Sequence, residues 1–381
     1  MTRHTLLKRI STDARFAKNP RHWRLWASGQ IPSNWPLISW VAVQNMLTAD
    51  APDHPRLRHL VDQAFTRPQV ERLAPRITAI TGELLRDMAT GATHTGSGTS
   101  PVTDLKAALA LPLPLTVISE LFGVPDRQRE RLQPLCRAVF DQSITPDQAQ
   151  RAHEGLQHEL AELVRHKRAE PGPDMTSALV AARDGDDRLT EPELIWTLIL
   201  MIGAGYETTT NLITNAVRAL LTHPDQLALI TRGDATWAAA VEETLRLHPS
   251  IAALPFRYTR VPVRIAGITI PAGEAVLMCY AAAGRDPAQH GANADRFDLT
   301  RRQRRHLAFS HGPHHCLGAE LARREATTAL EMLFTRFPDL QLAPVTPPTW
   351  LPSIVATALA SLPVVLGPRA APATTIPAPA A

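Results

Sequence analysis

The stretch FSHGPHHCLG, residues 309–318, places a single cysteine, Cys316, in a short loop that Gly312 and Pro313 tighten. The residues that follow, AELARREATTALEMLF, have apolar side chains at helical spacing, so the loop leads directly into a predicted helix. A helix N-terminus carries partial positive charge and the neighbouring histidines add to it, so we expect the thiol of Cys316 to be acidified. The thiolate is the form of cysteine that binds metal ions.

The residues alone leave several interpretations of this cysteine open. An isolated cysteine is most often a small buried hydrophobe with no chemical role. As a metal ligand, one thiolate with no second cysteine nearby suits the axial position of a haem iron better than a zinc cage. A zinc site made of His311, His314, His315 and Cys316 is a weaker alternative, because neighbours in one tight loop converge poorly on a tetrahedron.

The loop also matches a known signature. The pattern F-x-x-G-x-H-x-C-x-G is the haem-binding signature of the cytochrome P450 family, and the chain matches it at every fixed position with Phe309, Gly312, His314, Cys316 and Gly318. The chain therefore resembles this family, and in particular its soluble actinobacterial-type members. The resemblance implies haem b (iron protoporphyrin IX) with Cys316 as its axial thiolate ligand, and places the other four residues around that cofactor.

Length and composition agree with one large globular domain. The chain has 381 residues, 44% of them hydrophobic, and no convincing linker divides it. The resemblance implies a mainly α-helical fold with small β-sheets, in which a single domain of residues 1–366 encloses the haem. The Ala/Pro-rich tail, residues 367–381, is expected to be disordered.

Charge and cysteine usage exclude several classes of protein. The net charge of +4 is mild, and basic residues alternate with acidic ones, so no nucleic acid partner is indicated. Cys136, Cys279 and Cys316 lie far apart and are odd in number, which argues against a disulfide framework. No apolar run is long enough to span a bilayer, so we expect a cytoplasmic monomer with no membrane association.

The segment TEPELIWTLILMIGAGYETTTNLITNAVRALLTHP, residues 190–224, predicts a long helix that opens with a capping box and ends at a proline. Its first half is apolar on all faces, so it should run through the interior. Gly203 and Gly205 each cost about 1 kcal/mol relative to alanine in a helix. Close packing at the glycines, with Thr208 bonded back to a helix carbonyl, is one explanation. The other is a site where a diatomic ligand lies against the backbone beside acid–base groups.

The middle of this helix resembles the oxygen-activation motif of the family, A-G-x-[D/E]-T, with Ala204, Gly205, Glu207 and Thr208 at its fixed positions. The resemblance assigns Thr208 to hydrogen bonding with bound dioxygen and Glu207 to a proton relay. Both are acid–base roles in which the side chain must reach its target directly or through water.

Two basic residues stand four apart in ADAPDHPRLRHLVDQAFT, where a helix is predicted from about residue 53. His54 and Arg58 then share one helical face, which in isolation is most simply a solvated basic surface. The stretch resembles the family's helix that contacts the haem propionates, and the resemblance assigns both residues to those carboxylates. Arg257 and His314 are further candidates for the same role.

The helix predicted from WAAAVEETLRLHP carries Glu243 and Arg246 three residues apart, a spacing that alone indicates a surface ion pair. By position it also resembles the buried Glu–Arg–Arg network of the family, with Arg296 of NADRFD as the third member. That resemblance implies that the three residues hold the loop of Cys316.

Residues 19–40 show no helical or strand period and contain Trp23, Trp26, Trp35 and Trp40. Tryptophans in a long loop are more often packing residues, but such loops also form binding sites, so both interpretations are kept.

The remaining elements complete the fold. Residues 104–123 predict one apolar helix, and residues 253–280 predict a strand, a hairpin and another strand. Residues 345–366 predict a final hairpin. Helices at 126–140 and 146–169 resemble the mobile pair that roofs the substrate pocket in this family.

The motifs in this order imply a haem-thiolate monooxygenase. It would insert one oxygen atom from O2 into a hydrophobic small molecule, by hydroxylation or epoxidation, with a macrolide, terpene or peptide of secondary metabolism as the substrate class. Electrons would come from NAD(P)H through a ferredoxin reductase and a ferredoxin. The run RRQRRH, residues 301–306, is either a solvated face or the basic docking site of that acidic donor. The alternatives are a catalytically silent partner protein of the same fold and a zinc hydrolase.

The chain departs from the family pattern in two places. The segment MTRHTLLKRISTDARFAKNP resembles the family's first internal helix, so the resemblance begins late, and both a mis-called start and a naturally shortened protein would explain it. Gly284 stands where the family commonly has asparagine, and no functional effect is expected from it.

Overall fold

The structure, a computed structural model, describes residues 1–65, 67–91, 102–140, 144–184, 187–344 and 349–367. Most of the Gly/Ser/Thr-rich stretch of residues 91–100, part of the predicted C-terminal hairpin and nearly all of the Ala/Pro-rich tail lie outside these ranges.

Helices make up most of the described chain. They are α1 His4–Thr12, α2 Arg24–Ala27, α3 Ile38–Val41, α4 Asp53–Ala64, α5 Arg67–Arg72, α6 Ala74–Gly91, α7 Pro112–Leu121, α8 Asp126–Phe140, α9 Pro146–Ala169, α10 Met175–Ala181, α11 Glu191–Thr222, α12 Pro224–Thr231, α13 Trp237–Leu247, α14 Tyr280–Ala283, α15 Pro287–His290 and α16 Ala319–Arg336.

The strands are short. They are β1 Phe16–Ala17, β2 Val102–Asp104, β3 Arg183–Asp184, β4 Asp187–Arg188, β5 Ala253–Thr259, β6 Val263–Ile265, β7 Ile268–Ile270, β8 Ala275–Cys279, β9 Gln341–Leu342 and β10 Pro363–Val365. They form antiparallel sheets in the orders β1-β5-β8 and β2-β10-β9, with two further pairs, β3-β4 and β6-β7. The expected mainly α-helical fold with small sheets is confirmed.

Helix α11 is the axis of the fold. Thr190 and Glu193 form the predicted capping box, with the Thr190 N–H donating to Glu193 Oε2 at 2.8 Å, and the helix runs for 32 residues. Its first half, exemplified by Leu198, packs into an apolar core with α7, α8 and α9. Its second half, exemplified by Val217, packs into a second core with α13 and α16. The helix therefore crosses the interior, as its all-round apolar pattern predicts.

One predicted element is wrong. Residues 104–123 do not form a single helix, since β2 comes first, a π-helical turn covers Lys106–Ala110 and α7 begins only at Pro112. Pro112 has no N–H with which to continue the hydrogen bonds of a preceding helix. Asp104, at the other end of the segment, belongs to β2. Its Oδ1 accepts from the N–H groups of Lys106 and Leu362, which ties the segment to β10. Sheet pairing with the C-terminal part of the chain overrides the local helical pattern.

The predicted strand, hairpin and strand of residues 253–280 are confirmed as β5, β6-β7 and β8. Pairing between β5 and β8 shifts register between Leu254 and Arg257, next to the cavity described below. No helix in the described ranges combines the length and the apolar character needed to cross a bilayer.

Candidate active site

A cavity of about 340 Å³ lies between the middle of α11 and the loop that carries Cys316. The structure brings most of the predicted site residues to its wall. They are Cys316, Phe309, His314 and Gly318 from the loop, His54 and Arg58 from α4, and Ala204, Gly205 and Thr208 from α11. Glu207, Arg257 and Gly312 are not part of the wall.

The loop is closed by its own backbone. The Cys316 N–H donates to Phe309 O at 2.9 Å, and Gly312 adopts φ 74°, a conformation that favours glycine. A Cβ on Gly312 would lie 2.7 Å from Thr12 Cγ2, so α1 packs directly beneath the loop. These contacts hold Cys316 just before the N-terminus of α16, as the sequence predicts.

The expected acidification of the thiol is wrong for the protein alone. Burial raises the pKa of Cys316, although the Gly318 N–H and the charges of Arg58 and Arg323 act in the opposite direction. The sulfur is accessible from the cavity, yet protein surrounds that cavity, so desolvation outweighs the partial charge of the helix terminus. Binding of a metal cation would reverse this balance, because a coordinating thiol is deprotonated outright.

The glycine and threonine of α11 fit both explanations that the sequence leaves open. Thr208 Oγ1 donates to Ala204 O at 2.7 Å, and a Cβ on Gly205 would lie 2.7 Å from Ile118 Cδ1 of α7. These are the contacts of a purely structural role. Both residues also line the cavity, so the same turn of the helix can pack against its neighbours and contact a ligand.

Glu207 lies one residue before Thr208 on α11, away from the cavity wall. It is half-buried, and Asn211 Nδ2 donates to its Oε1 at 3.3 Å. The structure therefore separates the two predicted acid–base residues, with the hydroxyl at the cavity and the carboxylate behind it.

Basic side chains gather on the α4 side of the cysteine loop. The rings of His54 and His314 lie 4.0 Å apart, and burial, followed by nearby cationic charge, lowers the pKa of both. Arg58 Nη1 donates to His315 O at 2.9 Å and its Nε to Asp62 Oδ1 at 3.0 Å. His54 is only 5% exposed, so this face is not the solvated surface of the simpler interpretation.

Arg257 adds a buried cation to the same group. It is 7% exposed, its charge lowers the pKa of both His54 and His314, and within the described ranges its guanidinium has no hydrogen-bond acceptor. A buried charge without a partner is costly, so the position calls for an anionic ligand. Carboxylates such as haem propionates fit it.

Lys18, a second cation near Arg257, was not predicted from the sequence. Its side chain is 4% exposed and its Nζ donates to Pro255 O at 3.3 Å. Burial, together with the charge of Arg257, lowers the pKa of Lys18 to about 7. A single lysine in an unpatterned segment has no motif to reveal it.

The predicted Glu243–Arg246 pair is present and fully buried. Arg246 Nη2 and Nε donate to Glu243 Oε1 and Oε2 at 2.7 and 2.8 Å, with both side chains 0% exposed. Arg246 Nη1 also donates to Gly284 O at 2.5 Å. A Cβ at residue 284 would lie 1.8 Å from Arg246 O, so glycine is required at this departure from the family pattern.

The third predicted member of this network is wrong. Arg296 is exposed, and only its carbonyl oxygen accepts from Arg246. Arg301 takes the place of its side chain, with Nε donating to Glu243 Oε1 at 3.3 Å and Nη1 to His290 O at 2.7 Å. Arg301 is the first residue of RRQRRH, so this run is not uniformly a solvated face.

A second ion network was missed. Glu242, next to Glu243, accepts from His306 Nε2 at 3.2 Å and from Arg323 Nε at 2.6 Å. Burial opposes ionisation, but these two partners lower the pKa of Glu242 to about 2. Arg323 also lies over the ring of Phe309, 4.7 Å from its centroid, so this network supports the cysteine loop. The sequence signal for this network was the pair of adjacent glutamates in EETLR, residues 242–246.

The tryptophans of the first loop divide between the two interpretations. Trp23 and Trp35 pack with each other and with Phe256 at ring-centroid distances of 5.6 to 6.1 Å. Trp40 lines the cavity. In the described part of the chain no group of three or more His, Cys, Asp or Glu side chains could hold a metal ion, so the zinc interpretation gains no support.

Comparison with known proteins gives a consistent result. The family model described as "Cytochrome P450" matches residues 237–360. The chain is 40% identical to 2-hydroxy-5-methyl-1-naphthoate 7-hydroxylase of Streptomyces carzinostaticus over 341 residues, which cover 89% of this chain and 82% of that protein. It is 37% identical to the mycinamicin IV hydroxylase/epoxidase of Micromonospora griseorubida over 368 residues, 96% of this chain and 88% of that protein.

Solved structures agree over nearly the whole chain. The structure of CYP154A1 from Streptomyces coelicolor superposes with a TM-score of 0.88 at 45% identity, covering 96% of this chain and 91% of that one.

Proposed function

This chain belongs to the cytochrome P450 family and is a monooxygenase, and we propose that the Cys316 thiolate would hold the haem iron and that the protein hydroxylates or epoxidises a hydrophobic small molecule. The observation that carries the proposal is that Cys316, in the loop before α16, shares one cavity with Gly205 and Thr208 of α11. When bound, haem supplies the activation of O2 that allows one oxygen atom to enter a substrate bond.

The residues around the cavity would hold the haem in a defined orientation. Cys316 supplies the sulfur ligand, and the closed backbone of its loop keeps that sulfur in place. His54, Arg58, Arg257 and His314 would bind the two propionates, since Arg257 lacks an acceptor within the described protein and the others lie beside it.

Thr208 and Glu207 would supply protons from the opposite side. The Thr208 hydroxyl donates to Ala204 O and would have to rotate toward the cavity to donate there. Glu207 lies behind it, half-buried, where its carboxylate can take up protons from solvent and pass them toward the threonine. The apolar remainder of the wall excludes water from the reacting bond.

The substrate is proposed to be a hydrophobic secondary metabolite. Two relatives are named for the oxidation of 2-hydroxy-5-methyl-1-naphthoate and of mycinamicin IV. The described lining from α8 and α9 is apolar, as Cys136 and Leu156 illustrate, and most of the lining from α11 is apolar too, which suits a substrate of this class.

The test is the spectrum of the purified, haem-loaded protein. We expect a red-shifted Soret band in the reduced carbonyl complex, the mark of thiolate ligation, and its loss in Cys316→Ala. Cys136→Ala is the matched control, since Cys136 also lines the cavity and should leave the band unchanged. A native protein that binds haem without this band, or a Cys316→Ala variant that keeps it, would contradict the proposal. Failure to turn over any substrate despite the band would favour the silent-partner alternative.

We further propose a ferredoxin as electron donor, reduced by NAD(P)H through a reductase. Arg302 and Arg305 are exposed next to the cysteine loop and would attract an acidic protein. Reversing both charges should slow reduction by a ferredoxin and remove its dependence on ionic strength, while reduction by dithionite stays unchanged. An unaltered rate with the ferredoxin would overturn this assignment.

A further inference from the structure

Away from α4 and the cysteine loop, the described cavity wall carries no charged side chain. The lining residues from α8, α9, α11 and β5 are apolar or hydroxyl-bearing, as Cys136, Leu156, Met201 and Leu254 illustrate. The basic lining residues all come from α4 and the cysteine loop. A charged group on a substrate would therefore find no counter-ion in this part of the cavity, and its desolvation would be costly.

The hydroxyl groups of this wall already donate to the protein backbone. Thr208 Oγ1 donates to Ala204 O at 2.7 Å and Thr209 Oγ1 to Gly205 O at 3.1 Å. Ser250 Oγ donates to Thr208 O at 2.6 Å. In the structure as it stands, the protons of all three hydroxyls are therefore taken up by backbone carbonyls.

Asn45 differs from them. It lines the cavity and is 7% exposed, and its Oδ1 accepts from the Leu47 N–H at 2.9 Å. That bond fixes which end of the amide is oxygen, so the other end is the NH2 group. Within the described ranges Nδ2 has no hydrogen-bond partner, so the amide keeps a free donor beside the cavity.

The loop around Asn45 is rigidly closed. Thr48 Oγ1 donates to Val43 O at 2.6 Å, and the N–H groups of Thr48 and Ala49 both donate to Asn45 O at 3.1 Å. The amide is thus held in place before any ligand arrives, which lowers the entropic cost of binding.

We propose that Asn45 positions the substrate, its Nδ2 donating to an oxygen acceptor on an uncharged, mainly apolar molecule. The inference rests on the proposed function, since it names the substrate class of the same cavity. A ketone, ester, ether or hydroxyl oxygen satisfies the amide. A pure hydrocarbon leaves the amide unpaired, and a site built to bond an oxygen discriminates against the analogue that lacks it.

The test compares two probes of matched shape, cyclododecanone and cyclododecane, by calorimetric titration of the haem-loaded protein. The native protein should bind the ketone about tenfold more tightly than the hydrocarbon. In Asn45→Leu the ratio should fall to about one through loss of ketone affinity. Asn34→Leu is the matched control, because Asn34 is exposed in the same part of the chain and should keep the preference.

Two further measurements separate a hydrogen bond from a structural effect. The carbonyl stretch of bound cyclododecanone should lie at lower frequency in the native protein than in Asn45→Leu. Methyl dodecanoate should bind more tightly than dodecanoate, since no cation faces the acid. If Asn45→Leu does not fold, Asn45→Ala replaces it with the same expectations.

The outcomes are distinguishable from those of the proposed function. A thiolate Soret band without a ketone preference, or a preference that survives Asn45→Leu, overturns the role of Asn45 alone. Tighter binding of dodecanoate than of its ester overturns the uncharged substrate. Absence of the thiolate band overturns the proposed function, while the infrared shift still decides whether Asn45 donates to the ketone.

Discussion

The buried ion network of α13 and the α11 wall of the cavity satisfy their polar groups in opposite ways. In the network, Glu243, Arg246 and Arg301 link helix α13 to two loops through bonds that cross the fold. On the α11 side, the hydroxyls of Thr208 and Thr209 bond to carbonyls of their own helix.

The difference separates fixed support from an adaptable surface. Charges paired across elements fix the relative positions of those elements, and removing one partner strands the other in a low-dielectric interior. Hydroxyls bonded within one helix fix nothing beyond it, so that wall can meet an apolar ligand with little rearrangement. Removing a charged side chain from the α13 network should therefore cost much stability, and removing a hydroxyl from the α11 wall should cost little.

The largest effect is expected for Arg246→Met, which keeps an unbranched apolar stem and removes the guanidinium charge. Glu243 would lose its two closest bonds while staying fully buried, and unfolding free energy should fall by about 3–5 kcal/mol. Chemical denaturation measures it, with Arg264→Met on exposed β6 as the control. Equal losses of unfolding free energy in the two variants would show that the buried α13 network does not stabilise the fold more than an exposed arginine does.

The next prediction tests whether Arg301 or Arg296 is the third member of the Glu243–Arg246 network. Arg301→Ala should cost about 2–3 kcal/mol, because its guanidinium bonds to Glu243, His290 and Asn293 in the interior. Arg296→Ala should stay within about 0.5 kcal/mol, since that side chain is exposed. The reverse ranking would restore Arg296 to the network.

Gly205→Ala should cost about 1–3 kcal/mol, the usual penalty of an overfilled core, because the new methyl meets Ile118 Cδ1. Valine lacks that atom, so Ile118→Val in the Gly205→Ala background should recover part of the loss. Thermal unfolding of both proteins measures it. No recovery would show that another contact limits residue 205.

Glu242 tests the support of the cysteine loop through the pH dependence of stability. Its pKa of about 2 lies below the unfolded value of 4.5, so its bonds stabilise the fold above pH 4.5 and are lost as pH falls through about 2. Between pH 5 and pH 2.5 the native protein should lose roughly 1 kcal/mol more than Glu242→Gln, a value reduced by partial solvent screening. Denaturation at both pH values tests it. If the native protein and Glu242→Gln lose the same unfolding free energy, Glu242 does not stabilise the fold.

The smallest change in stability, within about 0.5 kcal/mol, is expected for Thr208→Ala, which removes one bond internal to α11. Function should change much more, with product formation falling about 100-fold while reductant is still consumed. Ser250→Ala is a control, because it removes a bond to the Thr208 backbone and leaves the hydroxyl in place. Unchanged coupling with haem retained would exclude Thr208 from the proton path.

What the sequence predicted correctly depends on neighbours along the chain. The loop of Cys316, the capping box of α11 and the Glu243–Arg246 pair are all contained in short segments, where spacing decides geometry. The family signature added the cofactor, because it records residues that meet around one ligand.

What the sequence missed depends on residues far apart along the chain. Asp104 lies in a strand and accepts from the Leu362 N–H, so helical structure starts only after it, and Arg301 takes the place of Arg296 because of where the chain passes Glu243. The thiol pKa was wrong in direction because burial is a property of the assembled cavity. The free amide of Asn45 is likewise visible only once its neighbours are in place.

The packing of α1 beneath the cysteine loop has a consequence for synthesis of the protein. Thr12 and Gly312 touch although 300 residues separate them, so α1 leaves the ribosome long before its partner exists. At about 5–20 residues per second the delay is roughly 15 to 60 seconds. During that time the apolar side of α1, with Leu7 and Ile10, has nothing permanent to cover it. Helix α1 is therefore made early and buried late, and nascent chains should depend on chaperones until the cysteine loop emerges.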